Sequence, residues 1–365
     1  MVPLFPSRLV RVGIHVGNDV RTVAKVRTQN HASISRIIRS DPTETSNQYR
    51  ACLFADACVC ALAGVAVGIV GKSQNLEHPR GYLGIDLHIH SSASDGEHPP
   101  QTVVERAAAV GLETIALTDH DTIEGYEEAA ARGVECGVRV IAACEFSVAA
   151  SWGELHLLAY FLPHEDARLN EFIDNQQAMR TTRAGSIVER LADIGVRVDL
   201  EDVLENSKGG AVGRPHVARA LVDCGAAHDI NDAFRKYLAA KRPAFVPKKL
   251  PELEDVTEMV RSCGGVTSAA HLRSRATRAT LIALKAAGVD AVEVVHPAHV
   301  DILARKISTL ALETGLHRTG GSDWHGEDGP DDERALLGCV EVPREWLVEI
   351  ENLHVERTAT LGASS

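Results

Sequence analysis

A parallel α/β fold, and among such folds a barrel, is predicted by three observations in the sequence. From Tyr82 onward, short apolar runs alternate with amphipathic stretches, which is the pattern of strands alternating with helices. His, Asp and Glu residues directly follow several of these apolar runs, and polar chemistry at the carboxyl ends of parallel strands is typical of β/α barrels. The hydrophobic content of 45% is ample for such a core.

Each element of the first half follows from a local signal. Prolines open the first predicted helix and Gly111 follows its last residue, which is the usual placing of proline and glycine at helix ends. Short apolar runs define the strands. In chain order we predict a strand at 83–89, a helix at 99–110, a strand at 114–118, a helix at 123–133, and strands at 138–143 and 154–161.

Residues 166–250 interrupt this alternation, and we predict that they form a helical insertion above the barrel mouth. The tetrapeptide Gly213-Arg214-Pro215-His216 lies within it. Helices are expected at 171–194, 217–224 and 231–241.

After the insertion the alternation resumes, and each apolar run again leads to a His or Asp. We predict strands at 265–270, 291–295 and 318–321. The chain is thereby divided into an N-terminal extension at 1–81, two barrel segments at 82–165 and 251–365, and the insertion at 166–250.

The first 81 residues do not share this pattern. Residues 51–70 form an apolar run of a length that suits a membrane span, with Asp56 as the only charge. An Asp inside a bilayer is costly, and a signal peptide would lie nearer the start. We predict that this part is disordered, or is an upstream extension produced by a misassigned start codon. A buried helix at 51–70 and a membrane anchor stay open as alternatives.

Charge and cysteine usage narrow the class of protein. The net charge is −12, and residues 1–81 carry 10 Lys and Arg against 5 Asp and Glu, so the remainder stands at −17. Broad duplex binding needs a basic surface, so we expect no duplex DNA partner. A small phosphorylated substrate held by metals and a few arginines is compatible with this charge. The 8 cysteines include no C-x-x-C pair, and we expect reduced thiols in a cytoplasmic protein.

The residues at the strand ends form one set of metal-ligand types. His88 and His90 are two residues apart on a predicted strand, so their side chains project from the same face. A single His at a strand end is more often structural, but burying a whole set of this kind without metal would leave charges uncompensated. We predict a multinuclear divalent-metal centre formed by His88, His90, Asp95, His120, Glu145, His156, His271, Asp323 and His325.

This chain resembles the polymerase-and-histidinol-phosphatase (PHP) superfamily, a group of metal-dependent phosphoesterases. The resemblance runs from about Gly84 to about Gly326. It is carried, in order, by the His-x-His strand with Ser-x-Ser-Asp-Gly, the Thr-Asp-His-Asp element, the Glu145 turn and the Ser-Asp-x-His element. The resemblance implies a distorted seven-stranded (β/α)7 TIM-like barrel of PHP type, with metals at the carboxyl-terminal mouth.

Motifs in the insertion resemble the bacterial branch of this family that hydrolyses nucleoside phosphates. They are Gly-Arg-Pro-His at 213–216, Phe-Arg-Lys-Tyr-Leu at 234–238 and Phe-Val-Pro at 245–247. That branch includes 3′,5′-nucleoside bisphosphate phosphatases and a 5′→3′ exoribonuclease acting on short RNAs. One departure is that Leu272 follows Ala270-His271 where the family commonly has proline, so the rigid turn after this ligand is missing.

Carried over by position, the resemblance divides the ligands into groups. A first ion would take His88, His90, Glu145 and Asp323, a second would share Glu145 and add His156 and His271, and a third position would use Asp95, His120 and His325. Whether two or three positions are filled stays open. Some family members have His at the position of Asp95, and an oxygen ligand there favours Mn²⁺, with Fe²⁺ and Zn²⁺ as alternatives.

Such a centre suits the hydrolysis of phosphate esters. Two bridged ions lower the pKa of bound water to roughly 7 and neutralise the phosphoryl oxygens. Asp119 and Asp121 flank His120, and either could orient its imidazole; for Asp121, capping the next helix is equally open. The predicted catalytic residues are Asp95, His120 and His325.

Substrate contacts are predicted on the insertion and just after His271. Arg214 offers planar bidentate geometry for phosphate, and His216 or His325 could protonate the leaving group. Arg180 and Arg183 lie three residues apart on one face of a predicted helix, where they either bind a second phosphate of the substrate or form a solvated basic face. The predicted substrate-binding residues are Arg180, Arg183, Arg214, His216 and Arg273.

The leading prediction is a metal-dependent phosphatase or phosphodiesterase for nucleotide-type substrates, either 3′,5′-nucleoside bisphosphates and AMP-like molecules or the 5′ ends of short RNA. The first alternative is a phosphatase of the histidinol-phosphate type on the same metal centre. A non-catalytic PHP module of a polymerase is a further alternative, but the chain shows no polymerase region and its ligand set looks complete.

Overall fold

The computed structural model describes residues 84–326 and 336–363 and, nearer the start of the chain, three strands. These strands are β1 (Arg11–Val16), β2 (Asp19–Ala24) and β3 (Ile37–Ile38). They form an antiparallel sheet in that order, within a unit that spans Met1–Asn75. The apolar run 51–70, with the helix and the membrane anchor considered for it, lies outside the described residues.

The second unit, Leu76–Ser365, contains a seven-stranded sheet in its described part. The order across the sheet follows the order along the chain, so each strand pairs with its neighbours in sequence. The strands are β4 (Gly84–Ile89), β5 (Leu112–Leu117), β6 (Arg139–Ala150), β7 (Gly153–Tyr160), β8 (Val266–Ala269), β9 (Ala291–Val295) and β10 (His317–Gly320).

The sheet is mixed, whereas the alternation of strands and helices had indicated a parallel one. β4, β5 and β6 are parallel, as are β8, β9 and β10, but β7 runs antiparallel to both of its neighbours. The reason is the short connection after β6, where Ala150 pairs directly with Gly153. A two-residue turn makes a hairpin, whereas a parallel crossover needs a dozen residues or more. The start of β7 therefore lies at the same end of the sheet as the carboxyl ends of the parallel strands.

The two edge strands of the sheet, β4 and β10, approach each other just beyond β10. Asp323 N donates to His88 O at 2.8 Å and His90 N donates to Trp324 O at 2.9 Å. A Cβ on Gly321 would lie 2.3 Å from the Cβ of His88, so only glycine permits this approach. The strand ladder is not continuous around the sheet, but the seam between its edges is joined at the end where the predicted ligands lie.

Helices follow the parallel strands and cover the sheet, in agreement with the predicted α/β class. In the described part of the chain, no helix combines the length and apolar content that crossing a membrane requires. The helices of this layer are α1 (Pro100–Ala109), α2 (Tyr126–Cys136), α7 (Leu253–Ser262), α8 (Arg278–Ala286), α9 (Asp301–Thr314) and α10 (Arg344–Ala363).

Four further helices lie between β7 and β8. They are α3 (Ala167–Asp193), α4 (Leu200–Asn206), α5 (Arg214–Asp223) and α6 (Ile230–Ala233), the last of which continues as a π-helix at Phe234–Leu238. The single helix predicted at 231–241 is thus divided, and it stops where Ala239 becomes extended.

These helices share an apolar cluster separate from those of the sheet. Ile187, Leu191 and Leu221 are each at most 1% exposed within it. Complete burial of one such side chain contributes about 2 kcal/mol. The cores around the sheet contain other fully buried side chains, among them Phe146 and Tyr160, whose hydroxyl donates to Leu87 O at 3.1 Å.

Candidate metal centre

The predicted ligands come together at one end of the sheet because of strand geometry. His88 lies on β4 and His90 directly follows it, two residues further along, and both residues are fully buried. Glu145 lies in the middle of β6, which continues to Ala150 rather than ending at residue 143 as predicted. A parallel bridge places His120 beside Glu145. The two carboxylate oxygens of Glu145 thereby become the middle of the site.

The first group of ligand types consists of His88, His90, Glu145 and Asp323. His88 Nε2 lies 3.4 Å from Glu145 Oε2 and 3.1 Å from Asp323 Oδ1. His90 Nε2 lies 3.2 Å from the same Glu145 oxygen and 3.3 Å from the same Asp323 oxygen. Two imidazole nitrogens and two carboxylate oxygens therefore converge on one small volume.

The second group surrounds the other side of Glu145. His120, Glu145 and His156 are close enough to hold one ion. His156 Nδ1 lies 2.9 Å from Glu145 Oε1, and His271 Nε2 lies 3.1 Å from that same oxygen. His120 Nδ1 instead faces Oε2, at 3.2 Å. Glu145 therefore separates two sets of imidazoles, which is the position of a bridging ligand.

The third group consists of His90, Asp95, His120 and His325. His325 Nε2 lies 3.4 Å from Asp95 Oδ1, while His120 Nε2 lies 3.8 Å from Asp95 Oδ2. The Nδ1 of His325 donates to the backbone oxygen of Asp323 at 2.8 Å, which leaves Nε2 as the nitrogen that faces the site. His90 belongs to this group as well as to the first, because its Nδ1 faces Asp95 at 3.9 Å.

The buried imidazole nitrogens of the site are arranged to bind a metal rather than to form hydrogen bonds. Among the described residues, His88 Nε2, both ring nitrogens of His90, and His120 Nδ1 are buried without a hydrogen-bond partner. Their closest neighbours include carboxylate oxygens, and a nitrogen lone pair repels such an oxygen unless a cation lies between them. Imidazole with carboxylate is a donor set of Mn²⁺, Fe²⁺ and Zn²⁺ sites.

The pKa values of the buried histidines also support a cation-binding site. Burial by itself lowers the pKa of His90, but Asp323 and Glu145 outweigh it and raise that pKa to about 10. The site therefore attracts positive charge strongly. Burial lowers the pKa of His120 to about 3, which keeps this imidazole neutral, as a metal ligand must be.

Three residues at or beside this site have a strained backbone. His271 has φ 24°, Asp121 has φ 50° and Asp323 has φ 54°, all in the left-handed region that non-glycine residues rarely adopt. Such conformations cost about 1–3 kcal/mol each and persist where the surroundings hold them. Leu272, the residue after His271, has φ −58°, which is within the range that a proline ring would impose.

Asp119 and Asp121 do not orient His120, contrary to the prediction. Asp119 accepts hydrogen bonds from Ser91 N, Ser91 Oγ and Ser94 Oγ, each at 2.7 Å, and so fixes the turn that leads to Asp95. Asp121 accepts from Arg180 Nε at 2.6 Å. Nor does Asp121 cap the next helix, because α2 begins only at Tyr126.

A cationic cavity lies beside the metal centre. Arg180 contributes a side chain that is only 9% exposed and an Nη2 that has no hydrogen-bond partner among the described residues. Arg183 Nε donates to Val246 O at 2.9 Å. The cavity is lined by Arg180, Arg183, Lys248 and Lys249, with Asp121 and Ser147 on the side of the centre.

The other predicted substrate residues lie outside the lining of this cavity. Arg214 lies over the rings of Phe234 and Phe245, with its Cζ 5.6 and 5.9 Å from the two centroids. His216 Nδ1 accepts from Gly213 N at 2.9 Å and so caps α5. Arg273 is exposed.

Two residues at the centre were not among the predicted ligands or substrate contacts. Glu293 is fully buried and its Oε1 accepts from His88 Nδ1 at 2.9 Å, while His296 Nε2 lies 3.3 Å from Asp323 Oδ2. A charged residue inside the otherwise apolar strand β9 was the available signal for Glu293.

Comparisons with known proteins agree with this site. The PHP domain model matches residues 86–301. A 3′,5′-nucleoside bisphosphate phosphatase from Chromobacterium violaceum is 33% identical over 68% of this chain and 90% of its own length. A 5′-3′ exoribonuclease from Haemophilus influenzae is 31% identical over 66% of this chain and 89% of its own.

A solved structure supports the fold as well. A solved structure of a protein from Bifidobacterium adolescentis is 32% identical, with a TM-score of 0.68, and the match covers 74% of this chain and 96% of that one. The family match, the relatives and the convergent imidazoles and carboxylates lead to one conclusion: the chain belongs to the PHP family and is a metal-dependent phosphoesterase.

Proposed function

We propose that this phosphoesterase acts on nucleotide-type substrates that carry more than one phosphate, namely 3′,5′-nucleoside bisphosphates or the 5′ ends of short RNA. Relatives that are named for these two activities cover about two thirds of the chain. The observation that carries the proposal is the cationic cavity, because it offers a second anion site beside the place where a phosphate ester would be hydrolysed.

The cavity and the metal centre are linked by two short stretches of chain. Asp121 and Ser147, which line it, lie one and two residues beyond His120 and Glu145 respectively. A phosphate held by the centre and a second anionic group held in the cavity would therefore belong to one small molecule or to adjacent nucleotides.

Positive charge in the cavity exceeds what its own carboxylate compensates. Asp121 pairs with Arg180, but burial and the charge of Arg214 lower the pKa of Arg183 to about 10. Burial and the charge of Arg180 also lower the pKa of Lys248, although Glu154 pairs with that ammonium. An incoming phosphate would relieve this repulsion, and arginine suits phosphate through its planar donors.

For the metal centre we propose two or three Mn²⁺ ions held by the three groups described above, with Glu145 as the bridge. When bound, such ions activate water and neutralise phosphoryl oxygens. Asp95, His120 and His325 would hold the position that faces the substrate, and Asp119 would keep Asp95 in place through Ser91 and Ser94. Arg180 and Arg183 would hold the phosphate that is not cleaved.

The alternative substrate, histidinol phosphate, fits this cavity less well. It has a single phosphate, and the rest of the molecule includes an amine that is cationic at neutral pH. Placing that amine near Arg183 and Lys248 would add to the repulsion already present. The absence of duplex DNA as a partner and the cytoplasmic location stay predictions.

The test is hydrolysis by the purified full chain with Mn²⁺, comparing adenosine 3′,5′-bisphosphate, a 5′-phosphorylated short RNA, AMP and histidinol phosphate. We expect kcat/KM for the bisphosphate or the RNA to exceed that for histidinol phosphate at least about 100-fold, roughly 3 kcal/mol of transition-state binding. Turnover of histidinol phosphate alone would overturn the substrate class while leaving the metal chemistry intact.

A further inference from the structure

Strand β9 provides none of the nine predicted ligands, yet two residues at its end contact three of them. Glu293 lies on the strand and His296 directly follows it. Both are buried, with 0% and 6% exposure. Their contacts reach His88, His271 and Asp323, which come from three different parts of the chain.

The first contact determines which nitrogen of His88 carries the proton. His88 Nδ1 lies 2.9 Å from Glu293 Oε1, and a carboxylate can only accept, so Nδ1 carries the hydrogen. Nε2 of the neutral ring is then left with its lone pair toward Glu145 and Asp323, as a metal ligand requires.

The second contact holds a strained backbone. Glu293 Oε2 accepts from His271 N at 2.7 Å, at the residue whose φ is 24°. The next residue is Leu272 rather than proline, so the chain lacks a ring that would stiffen this turn. The Glu293 carboxylate thus holds the backbone amide of the residue whose Nε2 reaches Glu145 Oε1.

The third contact orients Asp323. Ala298 N donates to His296 Nδ1 at 3.0 Å, which places the hydrogen of the neutral His296 ring on Nε2. That Nε2 lies 3.3 Å from Asp323 Oδ2, so it donates to the oxygen that faces away from the first group. Oδ1 is thereby left directed at His88 and His90.

We propose that Glu293 and His296 are positioning residues, which bind no metal themselves. Glu293 keeps the proton of His88 on Nδ1 and holds the backbone of His271, and His296 orients the carboxylate of Asp323. Loss of this kind of support typically weakens metal affinity about 10–100-fold. The proposal holds for any phosphate-ester substrate, so its failure would leave the proposed substrate class untouched.

The first test is Mn²⁺ binding to the metal-free full chain by titration calorimetry, with thermal unfolding measured on the same samples. In Glu293→Gln one oxygen remains and the amide nitrogen becomes a donor, so His88 and the backbone of His271 cannot both be satisfied. We expect the Kd for Mn²⁺ to rise about 10–100-fold.

Asp290→Asn is the matched control. Asp290 is buried just before β9 and pairs with Arg357 at 2.6 Å, and it also accepts from Thr267 N at 2.9 Å. We expect this variant to lower the unfolding midpoint of the metal-free protein at least as much as Glu293→Gln, with the Kd for Mn²⁺ unchanged. Equal weakening of binding in both variants, or none in Glu293→Gln, would overturn the role of Glu293.

The second test uses His296 and does not depend on whether Glu293→Gln folds. His296→Leu removes the donor to Asp323 and should raise the Kd for Mn²⁺ about 10-fold. His296→Gln keeps an N–H near the position of Nε2 and should restore binding to within about threefold of the original chain. If the leucine variant binds Mn²⁺ normally, or glutamine does no better than leucine, His296 has no positioning role.

Discussion

The metal centre and the cationic cavity beside it are built in different ways. The ligands of the centre come from strands or from the loops that follow them, and the carboxylate of Glu145 contacts five imidazoles, those of His88, His90, His120, His156 and His271. The cavity is lined mainly by helix α3 and the segment after Val246, and Arg183 is held by one backbone oxygen. In the proposed function, the sheet and its loops therefore hold the metal ligands, and the inserted helices contact the rest of the substrate.

Removing the metal should have the largest effect, and it should act on the centre alone. We expect a chelator to abolish hydrolysis and to lower the unfolding midpoint, because an ion at 100 times its Kd stabilises the folded state by about 2.7 kcal/mol. Activity assays and thermal unfolding with and without EDTA measure both effects. Restoration by added Mn²⁺ is the control, and full activity in chelator would contradict the metal-dependent chemistry.

Substitution of a metal ligand should have the second-largest effect on hydrolysis. In Asp323→Ala or His88→Ala, we expect hydrolysis to fall about 1000-fold, equivalent to about 4 kcal/mol of transition-state stabilisation, with the circular dichroism spectrum retained. His317→Ala, at the start of β10 and so at the opposite end of that strand, is the control that should keep activity. Undiminished turnover in both variants would contradict the assignment of His88 and Asp323 to the first group of metal ligands.

A change in the cavity should affect binding of one substrate class rather than the chemistry. We expect Arg183→Met to raise KM for adenosine 3′,5′-bisphosphate about 10-fold, since a charged hydrogen bond contributes about 1.5 kcal/mol, while KM for p-nitrophenyl phosphate stays the same. Arg190→Met is matched, because Arg190 also bonds a backbone oxygen, Phe245 O, from the same helix. An equal rise for both substrates would show that the cavity does not hold a second phosphate.

The smallest effect should come from the core of the inserted helices. Ile187→Val removes one methylene from a side chain that is 1% exposed, and we expect a loss of about 1 kcal/mol in the free energy of unfolding with kcat unchanged. Ile115→Val makes the same change in the core beside β5. Urea unfolding measures both, and a drop in kcat for Ile187→Val alone would mean that the two regions are not as separate as their apolar clusters suggest.

The sequence was informative wherever function depends on local spacing. The alternation of His88 and His90 on a strand, and the order of the four motifs, predicted the family and the set of residues that gathers at the sheet end. The direction of β7 was missed, although the short connection between Glu145 and Glu154 leaves no room for a crossover.

Contacts between distant segments could not be predicted from spacing along the sequence. Asp121 pairs with Arg180, 59 residues away, rather than with the neighbouring His120. Glu293 and His88 are 205 residues apart, and which ring nitrogen carries a proton depends on that contact. Spacing along the chain predicts which side chains share a face, but it does not say which distant group completes each hydrogen bond.

Because the metal ligands come from both sides of the seam between β4 and β10, metal binding should also affect the stability of the fold. His88 and His90 come from the first strand of this sheet, and Asp323 and His325 follow its last strand. Ser322 N donates to Asp86 Oδ1 across the same seam, between residues 236 positions apart. Ligands from both edges that share one ion would act as a reversible cross-link between the first and last strands of this sheet, so that opening the seam would require release of the ion. Cells poor in the metal would then hold an enzyme that is easier to open and degrade as well as inactive.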